Sequence, residues 1–370
     1  MNRNNSFACL AIVSLAAFVS LDAQRRGGGP PGAAGGGGAR RGTVERVTVH
    51  GKALEGNLEG DAVDREVSIY LPPSYAADTA RRYPVVYLLH GYGARDNAFI
   101  ADVARLAESV DRLSSSQGFS EPIVVTPNAF TLHGGSMYSS SPATGDWEKF
   151  VAEDLVGYVD SHYRTLTARM SRGLAGHSAG GYGALRIGMK RSDLFSSLYV
   201  MSACCAAPVT APEILPFAGA AEAIKTREQA EAASRQPGGV SFGLALAAAW
   251  SPNPSKAPLF FDLPVASGAA RPDVLSRWTA NATLSMVDQY AANLKKYYAV
   301  AIDVGARDQL LGSNRQLHEA LVRLKVPHSY EEYDGDHMDK IGERLERNVV
   351  PFFSTYLVAP ANPSSPQIKD

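Results

Sequence analysis

A serine flanked by glycines lies near the middle of the chain, in the run Gly176-His177-Ser178-Ala179-Gly180-Gly181. This spacing is typical of a nucleophile elbow, a tight strand-to-helix turn in which a side chain at either flanking glycine would collide with neighbouring backbone. The surrounding residues predict a strand over 171–175 and a helix over 181–190. Such a turn exposes the hydroxyl of Ser178 beside the N–H of Ala179, which predicts nucleophilic acyl transfer with that N–H as a donor to the oxyanion.

The same pattern occurs a second time, in Gly239-Val240-Ser241-Phe242-Gly243. The residues before it, Arg235-Gln236-Pro237-Gly238, predict a loop instead of a strand. We therefore interpret the second copy as a connecting segment, and Ser178 as the nucleophile.

A serine nucleophile needs a base, and the histidines downstream of Ser178 are His318, His328 and His337. His318 lies in the middle of a predicted helix and His328 opens a predicted strand, so structural roles are expected for both. His337 lies in the turn-rich loop Asp334-Gly335-Asp336-His337-Met338, which follows a strand and lets an imidazole face a cleft. His337 is the predicted general base.

Two aspartates are alternatives for the acid that orients this imidazole. Asp303 lies near the end of a strand predicted over 297–304, and Asp308 lies in the loop after it. A residue at a strand end usually points into the sheet packing, whereas Asp308 can reach across to His337 and fix its tautomer. We favour Asp308 as the acid, and expect Asp303 to accept hydrogen bonds from loop amides.

A second oxyanion donor is expected from the loop after the strand predicted over 83–89. This loop reads His90-Gly91-Tyr92-Gly93, and its glycines allow the backbone to turn its amides inward. We nominate the N–H of Tyr92. The alternative is a glycine turn that only reverses the chain.

The chain as a whole alternates predicted strands and helices, which favours an α/β fold with a doubly wound, mostly parallel sheet. Two strands near the start, over 43–50 and 65–71, alternate apolar and polar residues as an antiparallel pair does. In such a sheet ligands bind at the carboxyl ends of the strands, where the predicted nucleophile, acid and base would meet.

Residues 206–290 interrupt the alternation with an alanine-rich helical stretch and proline-rich loops. We predict that this segment is an inserted cap over the site. Large apolar side chains on it need a surface to cover, which makes Trp250 and Trp278 candidates for lining a substrate pocket. The alternative is that they pack on a distant face and the segment is structural.

The two ends of the chain have their own composition. One positive charge, an apolar run and a cleavage site after Ala23 predict a signal peptide over 1–23. The run is too short for a membrane span, so the mature chain is expected to be secreted or periplasmic. Residues 24–42 are expected to be a disordered leader rich in glycine and proline and 359–370 a flexible tail, which leaves one catalytic domain over 43–358.

Charge and motifs exclude several other classes of protein. A formal net charge of −1 gives no reason to expect a nucleic-acid partner. The sequence contains no His-Glu-x-x-His, Cys-x-x-Cys or Gly-x-x-x-x-Gly-Lys motif, so no metal site and no cofactor are predicted.

These motifs together resemble those of the esterase D family of α/β-hydrolases over about residues 60–205 and 295–357. The family includes feruloyl and acetyl-xylan esterases, S-formylglutathione hydrolases and mycolyltransferases of the antigen 85 type. The resemblance implies an α/β-hydrolase fold with Ser178 as nucleophile, Asp308 as acid, His337 as base, and Tyr92 and Ala179 as oxyanion donors. It rests on the runs Leu88-Leu89-His90-Gly91-Tyr92-Gly93, Tyr138-Ser139-Ser140-Ser141-Pro142, Gly145-Asp146-Trp147-Glu148, Gly176-His177-Ser178-Ala179-Gly180-Gly181, Asp308-Gln309-Leu310 and Gly335-Asp336-His337.

The function predicted from residues and resemblance is a secreted serine carboxylic-ester hydrolase that forms an acyl-enzyme. Feruloyl, acetyl or other acyl esters of carbohydrates are the candidate substrates, and the expected partner is a small-molecule or carbohydrate-linked ester. A peptidase or acyltransferase of the same fold and a catalytically silent acyl-binding relative are the alternatives. The sequence leaves the oligomeric state open.

Overall fold

The apolar runs of the sequence assemble into a central sheet in the computed structural model, which describes residues 41–102, 105–236 and 238–358. Among these residues, eight strands form one sheet in the order β1-β2-β4-β3-β7-β8-β11-β12, and two short strand pairs lie outside it. The predicted signal peptide, all but the last two residues of the leader, and the tail lie outside the described residues. In chain order the strands are β1 (Thr43–His50), β2 (Asp64–Leu71), β3 (Val85–Leu89), β4 (Ile123–Pro127), β5 (Ser140–Ser141), β6 (Gly145–Asp146), β7 (Arg172–His177), β8 (Ser197–Met201), β9 (Val265–Ala266), β10 (Ala269–Ala270), β11 (Ala299–Gly305) and β12 (Ser329–Tyr333).

Helices cover both faces of this sheet and build the inserted segment. Within the described residues, none combines the length and the apolar composition that crossing a bilayer requires. The α-helices are α1 (Pro73–Ala77), α2 (Leu106–Ser114), α3 (Trp147–Lys149), α4 (Val156–His162), α5 (Ala179–Lys190), α6 (Ala211–Ile214), α7 (Ala218–Ala223), α8 (Arg227–Ser234), α9 (Gly239–Trp250), α10 (Pro272–Asn281), α11 (Thr283–Leu294), α12 (Leu311–Arg323), α13 (Ile341–Arg344) and α14 (Val350–Tyr356). Short 3₁₀ turns lie at Lys52–Leu54, Arg169–Ser171 and Leu215–Phe217, and π-helical turns at Ala98–Asp102, Phe150–Leu155 and Leu345–Val349.

The central strands are buried on both faces because their side chains alternate between two cores. In β3, Val85, Tyr87 and Leu89 pack in one apolar cluster. Val86 and Leu88 pack in a second cluster on the opposite face. Burial on both faces explains why this strand is apolar throughout, and the doubly wound, mostly parallel sheet of the α/β-hydrolase fold is confirmed. The predicted antiparallel pair at the start is also confirmed, as β1 and β2.

The strand register brings the carboxyl ends of the parallel strands level with one another. Leu89, the last residue of β3, pairs with Gly176 of β7. Met201, at the end of β8, pairs with both His177 of β7 and Asp303 of β11. The loops that follow these strands therefore start at one edge of the sheet, which is where the predicted site residues lie.

One local prediction is wrong because tertiary contacts override it. The second glycine-serine-glycine run is the first turn of α9 and not a connecting segment. Gly238 immediately precedes the first turn of the helix, and the Ser241 hydroxyl lies 3.1 Å from both the carbonyl oxygen and the N–H nitrogen of Gly238. A helix that is apolar on nearly all sides is stable here because it is buried in the inserted segment.

The inserted segment has a core of its own, and this core reaches the elbow. Residues of α9 and α10 pack in one apolar cluster with Tyr92, Ala179 and Tyr182, which belong to the main domain. Met286 and Val287 of α11, by contrast, pack in the core of the main domain. The inserted segment therefore ends before α11. It packs against Ala179 of the elbow and against Tyr92 in the loop after β3.

Candidate active site

The turn between β7 and α5 holds Ser178 in a strained backbone conformation, with φ 57° and ψ −117°. A Cβ on Gly176 would overlap the carbonyl of Gly180, and a Cβ on Gly180 would overlap the carbonyl of Leu89. Only glycine fits at these two positions. The pattern in the sequence is thus explained by the close approach of β3, β7 and α5 around one turn.

The structure brings Ser178, His337 and Asp308 together from three separate loops. Nε2 of His337 lies 3.0 Å from Oγ of Ser178, and Nδ1 of His337 lies 2.8 Å from Oδ2 of Asp308. An ionised carboxylate can only accept, so Nδ1 carries the hydrogen and Nε2 is left to accept the proton of the serine hydroxyl.

The surroundings of Asp308 favour its ionised form. Burial raises the pKa of this carboxyl, but the hydrogen bond and the charge of His337 and the N–H of Leu310 together outweigh burial. The pKa of Asp308 therefore lies below its ordinary value. The N–H of Leu310 donates to Oδ1 at 2.8 Å, which leaves Oδ2 for the imidazole.

Asp303, the alternative acid, is engaged elsewhere. Its Oδ2 accepts hydrogen bonds from Tyr199 at 2.8 Å and from Nε and Nη2 of Arg344 at 2.9 and 2.8 Å. The expectation that Asp303 binds loop amides is therefore wrong, because a buried arginine takes that place. Asp303 ties β11 to α13 and does not reach His337.

The loop after β3 lies beside the nucleophile. A Cβ on Gly91 would be 3.3 Å from the Cβ of Ser178. The N–H of Gly93 donates to the carbonyl of Gly134 at 3.0 Å, while no partner for the N–H of Tyr92 is found among the described residues. Ala179 is the first residue of α5, and first-turn N–H groups have no partner within a helix. Both nominated donors are thus available to an oxyanion.

Two buried histidines support this edge of the sheet. His90 accepts a hydrogen bond from the N–H of Ala129 at 2.9 Å and donates from Nδ1 to the carbonyl of Gly91 at 2.8 Å. His177 donates from Nε2 to the carbonyl of His337 at 2.9 Å. Burial lowers the pKa of His90 to about 4, and burial with the nearby His337 lowers the pKa of His177 to about 3. Both stay neutral and fix backbone next to the site.

Sequence reasoning gave no role to His177, although it lies inside the elbow run. Asn314 was missed as well. This buried amide of α12 bonds the N–H and the carbonyl of Ala203 at 3.1 and 2.9 Å and the carbonyl of Leu310 at 2.9 Å. It joins the loop after β8 to the loop that carries Asp308. Its only sequence signal is a polar residue on the inner face of a predicted helix.

The two tryptophans nominated for a substrate pocket are core residues of the inserted segment, with exposed fractions of 4% for Trp250 and 1% for Trp278. Trp250 packs on Tyr182 and donates to Ser139, and Trp278 donates to Ser251 at 2.9 Å. Trp278 also lines a small apolar pocket of the segment, together with residues such as Phe217, Val240 and Leu263. Their burial favours a packing role over substrate contact.

Other sequence candidates lie away from Ser178. His318 of α12 and His328, which directly precedes β12, contact each other at 2.8 Å. Across the part of the chain that the structure describes, no three His, Cys, Asp or Glu side chains converge as metal ligands would.

The sequence of the chain matches that of a known protein family. The family described as "Putative esterase" matches residues 62–340 of the chain. The chain belongs to this esterase family. A solved ferulic acid esterase is 24% identical, with a TM-score of 0.62 over 86% of this chain and 99% of that chain. The S-formylglutathione hydrolase of Staphylococcus aureus is 16% identical, with a TM-score of 0.55 over 85% of this chain and 99% of that chain. These structures share the α/β-hydrolase fold.

Curated relatives match this chain over a shorter stretch than the family model does. An esterase of Mycobacterium tuberculosis is 29% identical over 136 residues, which are 35% of this chain and 27% of that protein. Endo-1,4-beta-xylanase Y of Acetivibrio thermocellus is 27% identical over 141 residues, which are 35% of this chain and 12% of that protein. The chain thus spans about a quarter or less of the length of these two relatives.

The two aspartates give a first prediction. Asp308→Asn should keep the fold and lower kcat by about 10²–10⁴-fold, because an amide favours the wrong tautomer of His337. Asp303→Asn should change kcat much less and lower the free energy of unfolding by about 1–3 kcal/mol, because it weakens the contact with Arg344. Steady-state kinetics and urea unfolding of both variants check this. Equal losses of kcat, or the reverse order, would transfer the acid role to Asp303.

A second prediction concerns the stability of the chain in acid. The pKa of His90 is about 4 in the folded chain and has its ordinary value of 6.5 in the unfolded chain. As the pH falls, the unfolded chain therefore binds a proton at His90 at a higher pH than the folded chain does. The unfolded state then binds more protons between these values, so stability falls as the pH falls from about 6.5 to about 4. His90→Gln, which still accepts from Ala129, should show a shallower fall across this window. Urea unfolding at pH 7, 6, 5 and 4.5 measures the slopes, and parallel slopes would contradict the assignment.

Proposed function

We propose that this protein is a serine carboxylic-ester hydrolase in which Ser178 is the nucleophile, His337 the general base and Asp308 the acid that orients it. The observation that carries the proposal is the continuous line of contacts from Asp308 through His337 to Ser178, at 2.8 and 3.0 Å. Membership of the esterase family and the strained turn at Ser178 support it.

The reaction follows from these contacts. Nε2 of His337 takes the proton of Ser178 as Oγ attacks the carbonyl carbon of the ester, and Asp308 stabilises the imidazolium that forms. The N–H groups of Tyr92 and Ala179 stabilise the oxyanion of the tetrahedral intermediate. The imidazolium then protonates the leaving alcohol, and water, activated by the same imidazole, hydrolyses the acyl-enzyme.

The substrate class is proposed from export and from relatives. A predicted signal peptide directs the chain out of the cytoplasm, where esters linked to carbohydrates are available. One solved neighbour is a ferulic acid esterase, and one curated relative is a xylanase. Feruloyl, acetyl or other acyl esters of carbohydrates are therefore the proposed substrates. A panel of acetyl, butyryl, feruloyl and acyl-sugar esters, assayed on the mature chain, identifies the acyl group.

Covalent labelling tests the nucleophile. A fluorophosphonate probe should label the wild-type chain at one serine. Ser178→Ala should abolish the labelling and lower kcat by at least about 10³-fold, because the variant has no group that can form the acyl-enzyme. Peptide mass spectrometry locates the labelled residue.

Ser241→Ala is the matched control, since Ser241 has the same flanking glycines but lies in the first turn of α9. It should keep labelling and keep kcat within a few-fold. Labelling at Ser241 would refute the site, and the absence of any labelling or ester hydrolysis would favour a catalytically silent acyl-binding relative.

A further inference from the structure

Beneath the loop that carries Tyr92 lies a pair of ionisable side chains that the proposed mechanism does not use. Oε1 of Glu59 and Nε2 of His133 are 3.1 Å apart, and both side chains are completely buried. Among the described residues, neither carboxylate oxygen of Glu59 and neither ring nitrogen of His133 has a hydrogen-bond partner of good geometry, so the two side chains are in polar contact without a well-aligned hydrogen bond. Burial raises the pKa of Glu59, and His133 opposes the rise. Such a pair is costly to bury and contributes little to stability compared with apolar side chains of the same size.

The pair is attached to the oxyanion loop through the backbone of His133. The hydroxyl of Tyr92 donates to the carbonyl of His133 at 2.7 Å. The N–H of Gly93 donates to the next carbonyl, that of Gly134, at 3.0 Å. A Cβ on Gly134 would be 2.9 Å from the Tyr92 hydroxyl, so the two segments are in tight contact. The position of residues 133–134 therefore sets the position of residues 92–93.

Glu59 anchors the other side of the pair. Its own N–H donates to the carbonyl of Ala143 at 3.0 Å, and its carbonyl accepts from Arg227 of the inserted segment. Two residues on, both carboxylate oxygens of Asp61 accept from the N–H of Leu132 at 3.1 Å. The segment that carries Glu59 is thus fixed to the main domain and to the insertion, and it holds the 131–134 loop at two adjacent residues.

We propose that Glu59 and His133 are positioning residues for the oxyanion hole: their buried contact fixes the 131–134 loop, which holds Tyr92 so that its N–H faces the oxyanion. The proposal rests on the proposed function. It assigns to these residues no contact with substrate. Their effect reaches the reaction through the side chain and the backbone of Tyr92.

Two variants separate positioning from packing. Glu59→Leu combined with His133→Leu removes the polar contact without leaving a single buried charge, so the fold should survive. Its kcat should fall by about 10–100-fold, while its KM should stay within about 3-fold of the wild-type value, because an oxyanion donor acts in the transition state. The loss of kcat should be smaller than the roughly 10²–10³-fold loss expected when such a donor is removed outright. Glu59→Gln keeps a polar contact to His133 and should recover most of the kcat. The rate constant for fluorophosphonate labelling should fall and recover in parallel.

Tyr92→Phe tests the connection without touching the buried pair. It removes the hydrogen bond to His133 but keeps the N–H of residue 92, and it should lower kcat in the same way. Combined with the double leucine variant, it should add little further loss, because both changes break one chain of contacts. Additive losses would overturn the proposed path. If circular dichroism shows that the double variant does not fold, Tyr92→Phe and His133→Gln replace it in the test. A lower kcat with a nearly unchanged KM in both variants supports positioning, and a wild-type kcat in both contradicts it.

The control is Asp160→Asn, which weakens a partly buried ion pair with Arg172 at the amino end of β7, the opposite end of that strand from Ser178. It should lower the unfolding temperature and leave kcat unchanged. A double leucine variant that loses only thermal stability, with wild-type kcat and labelling, would overturn the positioning role while the proposed function stands. A wild-type chain that neither labels at Ser178 nor hydrolyses p-nitrophenyl acetate would overturn both.

Discussion

At the end of β7 the chain reverses direction around Ser178, and the other candidate catalytic groups are arranged about this turn. A non-glycine residue with φ 57° and ψ −117° costs about 1–3 kcal/mol of backbone strain. The surrounding contacts hold the strain in place: the N–H of Ser178 donates to Met201 at 3.0 Å, and its carbonyl accepts from Tyr182 and Cys204 at 2.9 and 3.1 Å. The turn therefore cannot relax unless β8 and α5 move with it. Because strands on both sides of β7 end at the same level, every loop that starts there begins within reach of the serine.

Two aspartates that are five residues apart illustrate how burial and partners separate roles. Asp303 and Asp308 are both buried, but Asp303 lies within β11 and Asp308 lies in the loop after it. Arg344 and Tyr199 occupy the carboxylate of Asp303, so that it stabilises the packing of α13 on the sheet. Asp308 accepts from the N–H of Leu310 and contacts the imidazole of His337, and the hydroxyl of Ser202 also lowers its pKa. These neighbours suit an ionised group that would orient a base. The nature of the partner, more than the depth of burial, distinguishes the two carboxylates.

The sequence predicted the parts of this protein that depend on local pattern. Apolar runs identified the central strands, and paired glycines identified the elbow, because each requires particular residue types at fixed spacing. The proximity of Asp308 and His337, the proposed acid and base, could be predicted because loops after parallel strands converge at one edge. Contacts between distant segments carry no such pattern. The helix that contains Ser241 and the burial of Trp250 and Trp278 depend on how the insertion folds against itself. The contact of Glu59 with His133 joins residues that are far apart in the chain, and no motif marks either of them.

The insertion and the loop that carries Tyr92, the proposed oxyanion donor, share one apolar core. The ring of Phe242 in α9 packs edge-on against Tyr92, with centroids 5.0 Å apart, and Phe261 packs in the same manner on His133 at 5.4 Å. Tyr92 is therefore fixed from two sides, by the 131–134 loop and by the insertion. A change in the packing of α9 would act on the N–H of Tyr92 before it reached His337 or Asp308, which are held by β11, β12 and their loops. The insertion therefore bears most directly on Tyr92, the proposed oxyanion donor. It also reaches the support of the proposed acid, because Leu310, whose N–H donates to Asp308, packs in the same apolar cluster.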